Sequence, residues 1–236
     1  MSEVIAFVAG ATGYTGRAVV QTLVAEGATT VAHVRPDSSR RAEWTERWHA
    51  QGARVDATPW ELDALTQTLT DLRPTVVFAL LGTTRARAKL EGRGAVSAYE
   101  AVDYGLTMVL RDAAVACGHR PRFVYLSAAG LREGTRNPYM AVRVRVERAL
   151  REGDLPYTIA RPSFITGPDR DEPRPGERIG ATVADGLLAV VGRLGARKAR
   201  ERYASMTNEV LARGLVRVAL DPAFEDRVAQ AEQLRG

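Results

Sequence analysis

The chain has 236 residues, of which 45% are hydrophobic and 26% charged, with a formal net charge of +5. This composition is typical of a globular protein, and the basic stripe with interleaved aromatics of a nucleic-acid-binding protein is missing. No apolar segment approaches the roughly 18 residues of a membrane span, and the N-terminus lacks the basic region of a signal peptide. We therefore expect no nucleic-acid partner, no membrane partner and a cytoplasmic location.

The chain offers little thiol or metal chemistry. Its single cysteine, Cys117, excludes an internal disulfide and falls in an apolar helical pattern typical of a buried thiol. The three histidines are His33, His49 and His119, and they have no metal-ligand spacing. Lysine occurs only at positions 89 and 198, so nearly all of the 33 basic residues are arginine. This bias weakens any argument that rests on one arginine.

Short apolar runs alternate with helical patterns in chain order. Strands are predicted at 5–9, 29–34, 53–55, 75–80, 122–126 and 157–160. Helices are predicted at 14–26, 38–51, 62–72, 95–117, 139–151 and 208–220. This alternation predicts an α/β fold with a doubly wound parallel sheet, the Rossmann fold.

The alternation of strands and helices stops after Pro162. Residues 167–180 are rich in proline, glycine and charge and predict a loop, and 180–194 are compatible with a helix. We expect one domain over 1–236, in which 163–236 form a small C-terminal lobe, or cap. Either a monomer or a homodimer is compatible with the sequence.

Three glycines with the spacing GxxGxxG lie between the first predicted strand and the first predicted helix. Such a turn brings the backbone close to a pyrophosphate, and the helix N-terminus offers N–H groups to it. The predicted phosphate loop comprises Gly10, Thr12, Gly13, Tyr14, Thr15 and Gly16. The alternative is a glycine-rich turn that binds no ligand.

An arginine follows the second predicted strand, where NAD-preferring sites carry an acid for the ribose 2′-hydroxyl. Arg35 would attract a 2′-phosphate instead, with Arg40 as a second cation. The sequence therefore favours NADP(H). The alternative is a solvated arginine in an arginine-rich chain.

Further segments carry a family resemblance. They are LGTTR at 81–85, VDY at 102–104, LSAAG at 126–130, YMAVR at 139–143, ARPS at 160–163 and RPGE at 174–177. Together with the glycine motif they resemble the atypical short-chain dehydrogenase/reductases of the NmrA-like, NAD(P)H-binding type, closest to the Tat-interacting oxidoreductase-like branch. The resemblance covers residues 4–220 and implies further cofactor contacts. These are Asp56, Ala57, Leu81, Gly82, Thr83, Pro162 and Ser163.

The same resemblance implies a catalytic group of serine, tyrosine and a cation around a substrate carbonyl. Ser127 would orient the carbonyl, Tyr139 would donate its proton as general acid, and Arg143 stands where the family has lysine. An arginine keeps the charge, but it is bulkier than lysine and does not readily relay a proton. Alternatively, Ser127 satisfies backbone groups after a strand and Tyr139 packs on the core.

The leading hypothesis is an NADPH-dependent reductase of a small carbonyl or related substrate. The alternative is a non-catalytic NADP(H)-sensing regulator or scaffold, which the missing lysine suits. An epimerase or dehydratase of nucleotide-linked sugars is a third hypothesis, and the short C-terminal lobe argues against it.

Overall fold

The computed structural model describes residues 3–83, 94–163, 165–166 and 205–236. The main sheet consists of β1 (Ile5–Ala9), β2 (Thr29–His33), β3 (Arg54–Asp56), β4 (Val76–Ala79), β5 (Arg122–Leu126), β6 (Tyr157–Arg161) and β9 (Arg227–Gln230). Its strand order is β3-β2-β1-β4-β5-β6-β9, and every pairing is parallel. β7 (Ile165–Thr166) and β8 (Met206–Thr207) form a separate parallel pair. The predicted doubly wound α/β fold is confirmed.

The helices lie on both faces of this sheet. They are α1 (Tyr14–Ala25), α2 (Arg41–Ala50), α3 (Leu62–Leu72), α4 (Ala95–Ala98), α5 (Thr107–Ala116), α6 (Pro138–Arg151), α7 (Asn208–Leu220) and α8 (Ala231–Arg235). A π-helix, Tyr99–Leu106, joins α4 to α5, so the helix predicted for 95–117 is continuous but changes its winding. Among the described residues, no helix is both long and apolar enough to cross a membrane.

The central strands are apolar on both faces, which explains why helices cover both faces of the sheet. Along β1, Phe7 faces the core formed with α3, α5 and α6, whereas Val8 faces the core formed with α1, α2 and α7. Val77 and Phe78 of β4 divide in the same way. Continuous apolar runs of this kind are typical of parallel strands buried on both sides.

The strand order reverses between β1 and β4. The chain leaves β1 toward one face of the sheet and leaves β4 toward the other, which opens a crevice at the carboxyl ends of these two strands. The glycine motif follows β1 and residues 81–83 follow β4. The topology therefore brings these two predicted cofactor segments together.

The C-terminal residues extend the main sheet, which the sequence did not predict. β9 pairs with β6, with Val228 opposite Ile159, and α7 packs against α1. A Cβ at Gly214 would lie 2.0 Å from the carbonyl oxygen of Leu234, so this glycine permits the close approach of α8. Residues 208–236, which the sequence analysis grouped with the cap, supply β9 of the main sheet and two of its helices, α7 and α8.

The division into a domain over 1–236 and a cap from 163 stays a prediction. The loop predicted for 167–180 and the possible helix at 180–194 lie outside the described residues, as do positions 84–85 of the LGTTR segment and 174–177 of RPGE.

Candidate active site

The glycine motif forms a tight turn that closes on itself and on the end of β4. Gly10 has a φ of +84°, and a Cβ there would lie 2.5 Å from the carbonyl oxygen of Leu80. A Cβ at Gly16 would lie 2.0 Å from the carbonyl oxygen of Gly10. Both positions therefore require glycine if α1 is to start this close to the sheet.

The N-terminus of α1 opens at the carboxyl edge of the sheet. Gly13 is the N-cap residue and has no side chain that could accept a hydrogen bond from the first turn. The first N–H groups of a helix have no intrahelical acceptors, and they carry the positive end of the helix dipole. Thr12 lies in the turn and Thr15 is buried in the first turn of the helix. Tyr14 occupies the first position of the helix. Helix N-termini of this kind are able to bind phosphate groups.

Two arginines follow β2, in different electrostatic environments. The side chain of Arg35 is 46% exposed, and its Nε lies 3.8 Å from the carboxylate of Asp37. Arg40 donates two hydrogen bonds, of 2.8 and 2.6 Å, to Glu43, which balances its charge. Arg35 is therefore the more available cation for an anionic ligand.

The end of β3 is held by hydrogen bonds within its own turn. Asp56 accepts from the backbone N–H of Thr58 at 3.1 Å and from its hydroxyl at 2.7 Å, with Ala57 between them. His33 at the end of β2 lies beside this turn, with Nε2 2.9 Å from the Thr58 carbonyl oxygen. Burial lowers the pKa of His33, against the opposing influence of that carbonyl and of Asp56. His33 is therefore a buried, neutral imidazole that donates to the Thr58 carbonyl and joins the end of β2 to the turn after β3.

Tyr139 is placed by the start of α6. Asn137 caps this helix and accepts hydrogen bonds from the backbone N–H groups of Tyr139 and Met140, at 3.0 and 3.4 Å. Pro138 occupies the first turn, where its missing N–H costs nothing. The ring of Tyr139 is half-buried and meets Tyr99 of the π-helix edge-on, with ring centroids 5.5 Å apart.

A buried cation lies against Tyr139. The guanidinium carbon of Arg143 is 3.9 Å from the centroid of the tyrosine ring, and the arginine is 6% exposed. Its Nη1 donates to Asp103 Oδ1 at 2.9 Å, and Asp103 Oδ2 accepts from the backbone N–H of Thr83 at 3.0 Å. The structure therefore joins α6, the π-helix and the segment after β4 through one ion pair, and it brings Tyr139 and Arg143 together as predicted.

The Arg143–Asp103 pair borders the crevice at Gly82, which is exposed. A Cβ on Gly82 would lie 3.5 Å from Asp103 Oδ1 and 3.6 Å from Arg143 Nη2. Burial raises the pKa of Asp103, while the charge and hydrogen bond of Arg143 act in the other direction. Arg143 remains charged. Its Nη2 is the guanidinium nitrogen closest to the exposed Gly82, whereas its Nε is buried with no hydrogen-bond partner.

Ser127 belongs to a second buried network. Its hydroxyl donates to Glu147 Oε1 at 2.6 Å, and Arg161 contributes two further bonds to the same carboxylate, at 2.8 and 2.5 Å. Arg151 adds a fourth at 2.6 Å. Burial alone would raise the pKa of Glu147, but the hydrogen bonds from Arg161 and Ser127 and the charges of Arg161 and Arg151 lower it. The hydroxyl proton of Ser127 is therefore directed at Glu147.

The remaining predicted cofactor residues border the same edge. Leu81 is half-buried after β4. The carbonyl of Pro162, which follows β6, accepts from the N–H of Ala129 at 2.9 Å, and Ser163 Oγ accepts from Arg235 at 3.0 Å. The backbone bond thus holds the end of β6 next to the end of β5, and the side-chain bond joins it to α8.

Sequence reasoning missed Glu147. The spacing of the sequence could have indicated it. Residues four positions apart share one face of a helix, and α6 has such a series in Tyr139, Arg143, Glu147 and Arg151. An acid on that face, beside the buried Val146 and Leu150, indicates a buried ion pair rather than a solvated charge.

Glu147 predicts a pH dependence of stability. Its folded-state pKa lies below the unfolded value of about 4.3, so the carboxylate stabilises the fold above that pH, and the contribution is lost as pH falls through the folded pKa. Glu147→Gln should therefore be less stable than the wild type at neutral pH, and the gap should narrow in acid. Urea unfolding over a pH series measures both. Glu43→Gln, which breaks an exposed pair with Arg40, is the control and should change little. A gap of constant size would contradict the role of the Glu147 charge.

Comparison with known proteins identifies the family. Residues 10–213 match the family described as NAD(P)H-binding, which covers most of the chain, and the protein belongs to that family. This confirms the resemblance to atypical short-chain dehydrogenase/reductases.

Individual relatives and solved structures are similar to this chain. Protein FMP52, mitochondrial, of Chaetomium globosum is 31% identical over 188 residues, which cover 76% of this chain and 74% of that protein. The protein of the same name from Coccidioides immitis is 29% identical over 120 residues, covering 50% of this chain and 43% of that protein. A UDP-glucose 4-epimerase of Thermus thermophilus in complex with NAD has a TM-score of 0.67 at 14% identity, covering 98% of this chain and 81% of that one. A short-chain dehydrogenase/reductase (wide type) of Veillonella parvula in complex with NADP has a TM-score of 0.59 at 17% identity, covering 97% and 93%. At these identities the two structures show the fold alone.

Proposed function

We propose that the protein is an NADPH-dependent reductase of a small carbonyl or related substrate. The observation that carries this proposal is the position of Tyr139, half-buried at the start of α6 with the Arg143 guanidinium 3.9 Å from its ring centroid. Arg143 itself borders Gly82, in the segment that faces the glycine motif across the crevice. A proton donor beside a fixed cation, next to a dinucleotide-type loop, suits reduction of a carbonyl.

The residues have separable roles in this proposal. When bound, the cofactor supplies a hydride, and the protein supplies positioning and electrostatics. Tyr139 donates its phenolic proton to the developing alkoxide, and the charge of Arg143 stabilises the phenolate that remains. Ser127 orients the carbonyl oxygen, for which its hydroxyl proton turns away from Glu147.

The cofactor preference rests on the end of β2. Arg35 is exposed there and attracts a 2′-phosphate, with Arg40 as the second cation. The glycine loop would hold the pyrophosphate at the N-terminus of α1. The segments at 56–57, 81–83 and 162–163 border the same edge and would contact the rest of the dinucleotide.

Thermal unfolding with NADPH, NADP⁺, NADH and NAD⁺ tests the cofactor assignment. A ligand at about 100 times its dissociation constant adds roughly 2.7 kcal/mol of stability, which is readily seen as a rise in Tm. We expect the two phosphorylated forms to stabilise the wild type more than the other two, and Arg35→Ala to lose this difference. Arg54→Ala is the matched control, because Arg54 begins β3 and lies away from the carboxyl ends of the strands. This variant should retain the preference for the phosphorylated forms.

Two results would contradict parts of the proposal separately. If none of the four dinucleotides stabilises the wild type, the glycine turn binds no such ligand and the reductase proposal is wrong. If NADH and NADPH stabilise equally, in the wild type and in Arg35→Ala alike, the dinucleotide site stands and the NADP preference is wrong.

A further inference from the structure

Asn208 connects the C-terminal part of the chain to the phosphate loop. It is the first residue of α7 and follows β8 directly. Its Nδ2 donates to the carbonyl oxygen of Tyr14 at 2.9 Å, across 194 positions of sequence. Tyr14 is the first residue of α1 and follows the N-cap Gly13. A side chain from the far end of the chain therefore lies at the helix N-terminus that faces the crevice.

The other polar atom of this amide has no partner. Asn208 is 7% exposed, and its Oδ1 is buried without a hydrogen-bond donor. The orientation of the amide is fixed, because the reversed amide would place its oxygen against the carbonyl oxygen of Tyr14. A buried acceptor without a donor is costly, and such an atom in a native protein indicates a water, an ion or a ligand that completes it.

We propose that Asn208 is a cofactor-binding residue whose Oδ1 accepts a hydrogen bond from a hydroxyl in the bound dinucleotide complex. This inference rests on the dinucleotide site proposed above. Pyrophosphate oxygens only accept hydrogen bonds, so they cannot satisfy Oδ1 directly. The hydroxyl belongs either to a ribose of the dinucleotide or to one water that donates both to Oδ1 and to a phosphate oxygen.

The test compares Asn208→Ala with Thr207→Ala. Thr207 caps α7 by accepting from the N–H of Val210 at 3.3 Å, so its loss weakens the start of the same helix. We expect Asn208→Ala to raise the Kd for NADPH about tenfold, measured by calorimetric titration, which is the loss of one hydrogen bond. Thr207→Ala should lower the Tm of the ligand-free protein and leave that Kd within about twofold.

A purely structural role for Asn208 gives the opposite result. Asn208→Ala would then lower the ligand-free Tm as Thr207→Ala does and leave the Kd unchanged, which would overturn the proposal. Asn208→Asp is the second variant, because it keeps an acceptor oxygen but places a negative charge near the pyrophosphate. It should weaken NADPH binding more than alanine does, and an unchanged Kd there would also overturn the proposal. A wild-type protein that binds no dinucleotide contradicts the proposed function instead.

A shorter ligand shows whether the hydroxyl lies on the nicotinamide half. Adenosine 2′-phosphate 5′-diphosphate keeps the pyrophosphate and lacks the second ribose. If Asn208→Ala weakens binding of both this compound and NADPH, the hydroxyl lies outside the nicotinamide half, either on a water at the pyrophosphate or on the adenosine ribose. If it weakens NADPH binding alone, Oδ1 accepts from the ribose on the nicotinamide side.

Discussion

Replacement of Tyr139 by phenylalanine is expected to lower turnover about 10²- to 10⁴-fold, the usual contribution of a general acid. Phenylalanine keeps the ring, and with it the contact to Tyr99 and the stacking on Arg143. Only the hydroxyl group and its proton are lost. We therefore expect the free energy of unfolding and the Kd for NADPH to stay close to wild type. Consumption of NADPH with a panel of small aldehydes, ketones and quinones measures turnover.

Tyr104 provides a matched control in the same part of the fold. It lies on the π-helix, and the guanidinium carbon of Arg145 is 3.9 Å from its ring centroid, the same distance as in the Arg143–Tyr139 contact. Tyr104→Phe should retain turnover. An active Tyr139→Phe variant would show that the acid is misassigned. A wild type that binds NADPH but reduces no member of the panel would favour the sensing or scaffold alternative.

Most of the sheet could be predicted because its strands are short apolar runs buried on both faces. β4 is a clear example, since all four of its residues are buried. β9 lacks this signal: Arg227 is exposed, and of its four residues only Ala229 is fully buried. Its position is set by pairing with β6, about 70 residues earlier, and a contact of that range leaves no local periodicity. The winding of the π-helix, which leaves Asp103 buried, is equally invisible to a helical pattern.

The candidate site could be predicted only as far as chain topology determines it. The carboxyl ends of parallel strands meet at one edge, and this topology brings residues 81–83, which the family resemblance assigned to the cofactor, next to the glycine motif. Topology does not determine which hydrogen-bond partner a side chain finds. Ser127 and Tyr139 follow a family pattern, yet the hydroxyl of Ser127 donates to Glu147. Which acceptor a buried hydroxyl finds depends on the packing of α6 against β5 and β6, which local sequence does not encode.

Asp103→Asn is expected to destabilise the protein by about 3–5 kcal/mol, the usual cost of removing one partner from a buried ion pair. The change is nearly isosteric, but it leaves the guanidinium of Arg143, 7% exposed, without a counter-charge. Glu100→Gln is the matched control, because Glu100 and Arg145 join the same π-helix to α6 at 2.7 and 2.8 Å. That pair is more than 40% exposed on both sides, so we expect about 0–1 kcal/mol there. Urea unfolding measures the free energy of unfolding of both variants. Equal losses of stability would contradict the argument that burial makes the Arg143–Asp103 pair more important than the exposed pair.

The double variant Asp103→Leu with Arg143→Met separates the structural role of this pair from its proposed chemical role. Burial raises the pKa of Asp103 in spite of the arginine, which indicates that desolvation cancels much of the attraction between the two charges. Apolar residues in both places should therefore recover part of the stability that Asp103→Asn loses. The N–H of Thr83 would remain unpartnered, at a cost of about 1–3 kcal/mol. Turnover of the double variant should stay below that of the wild type, because no cation would face Tyr139. A stable double variant with wild-type turnover would restrict Arg143 to a structural role, and the proton transfer from Tyr139 would then need no cation.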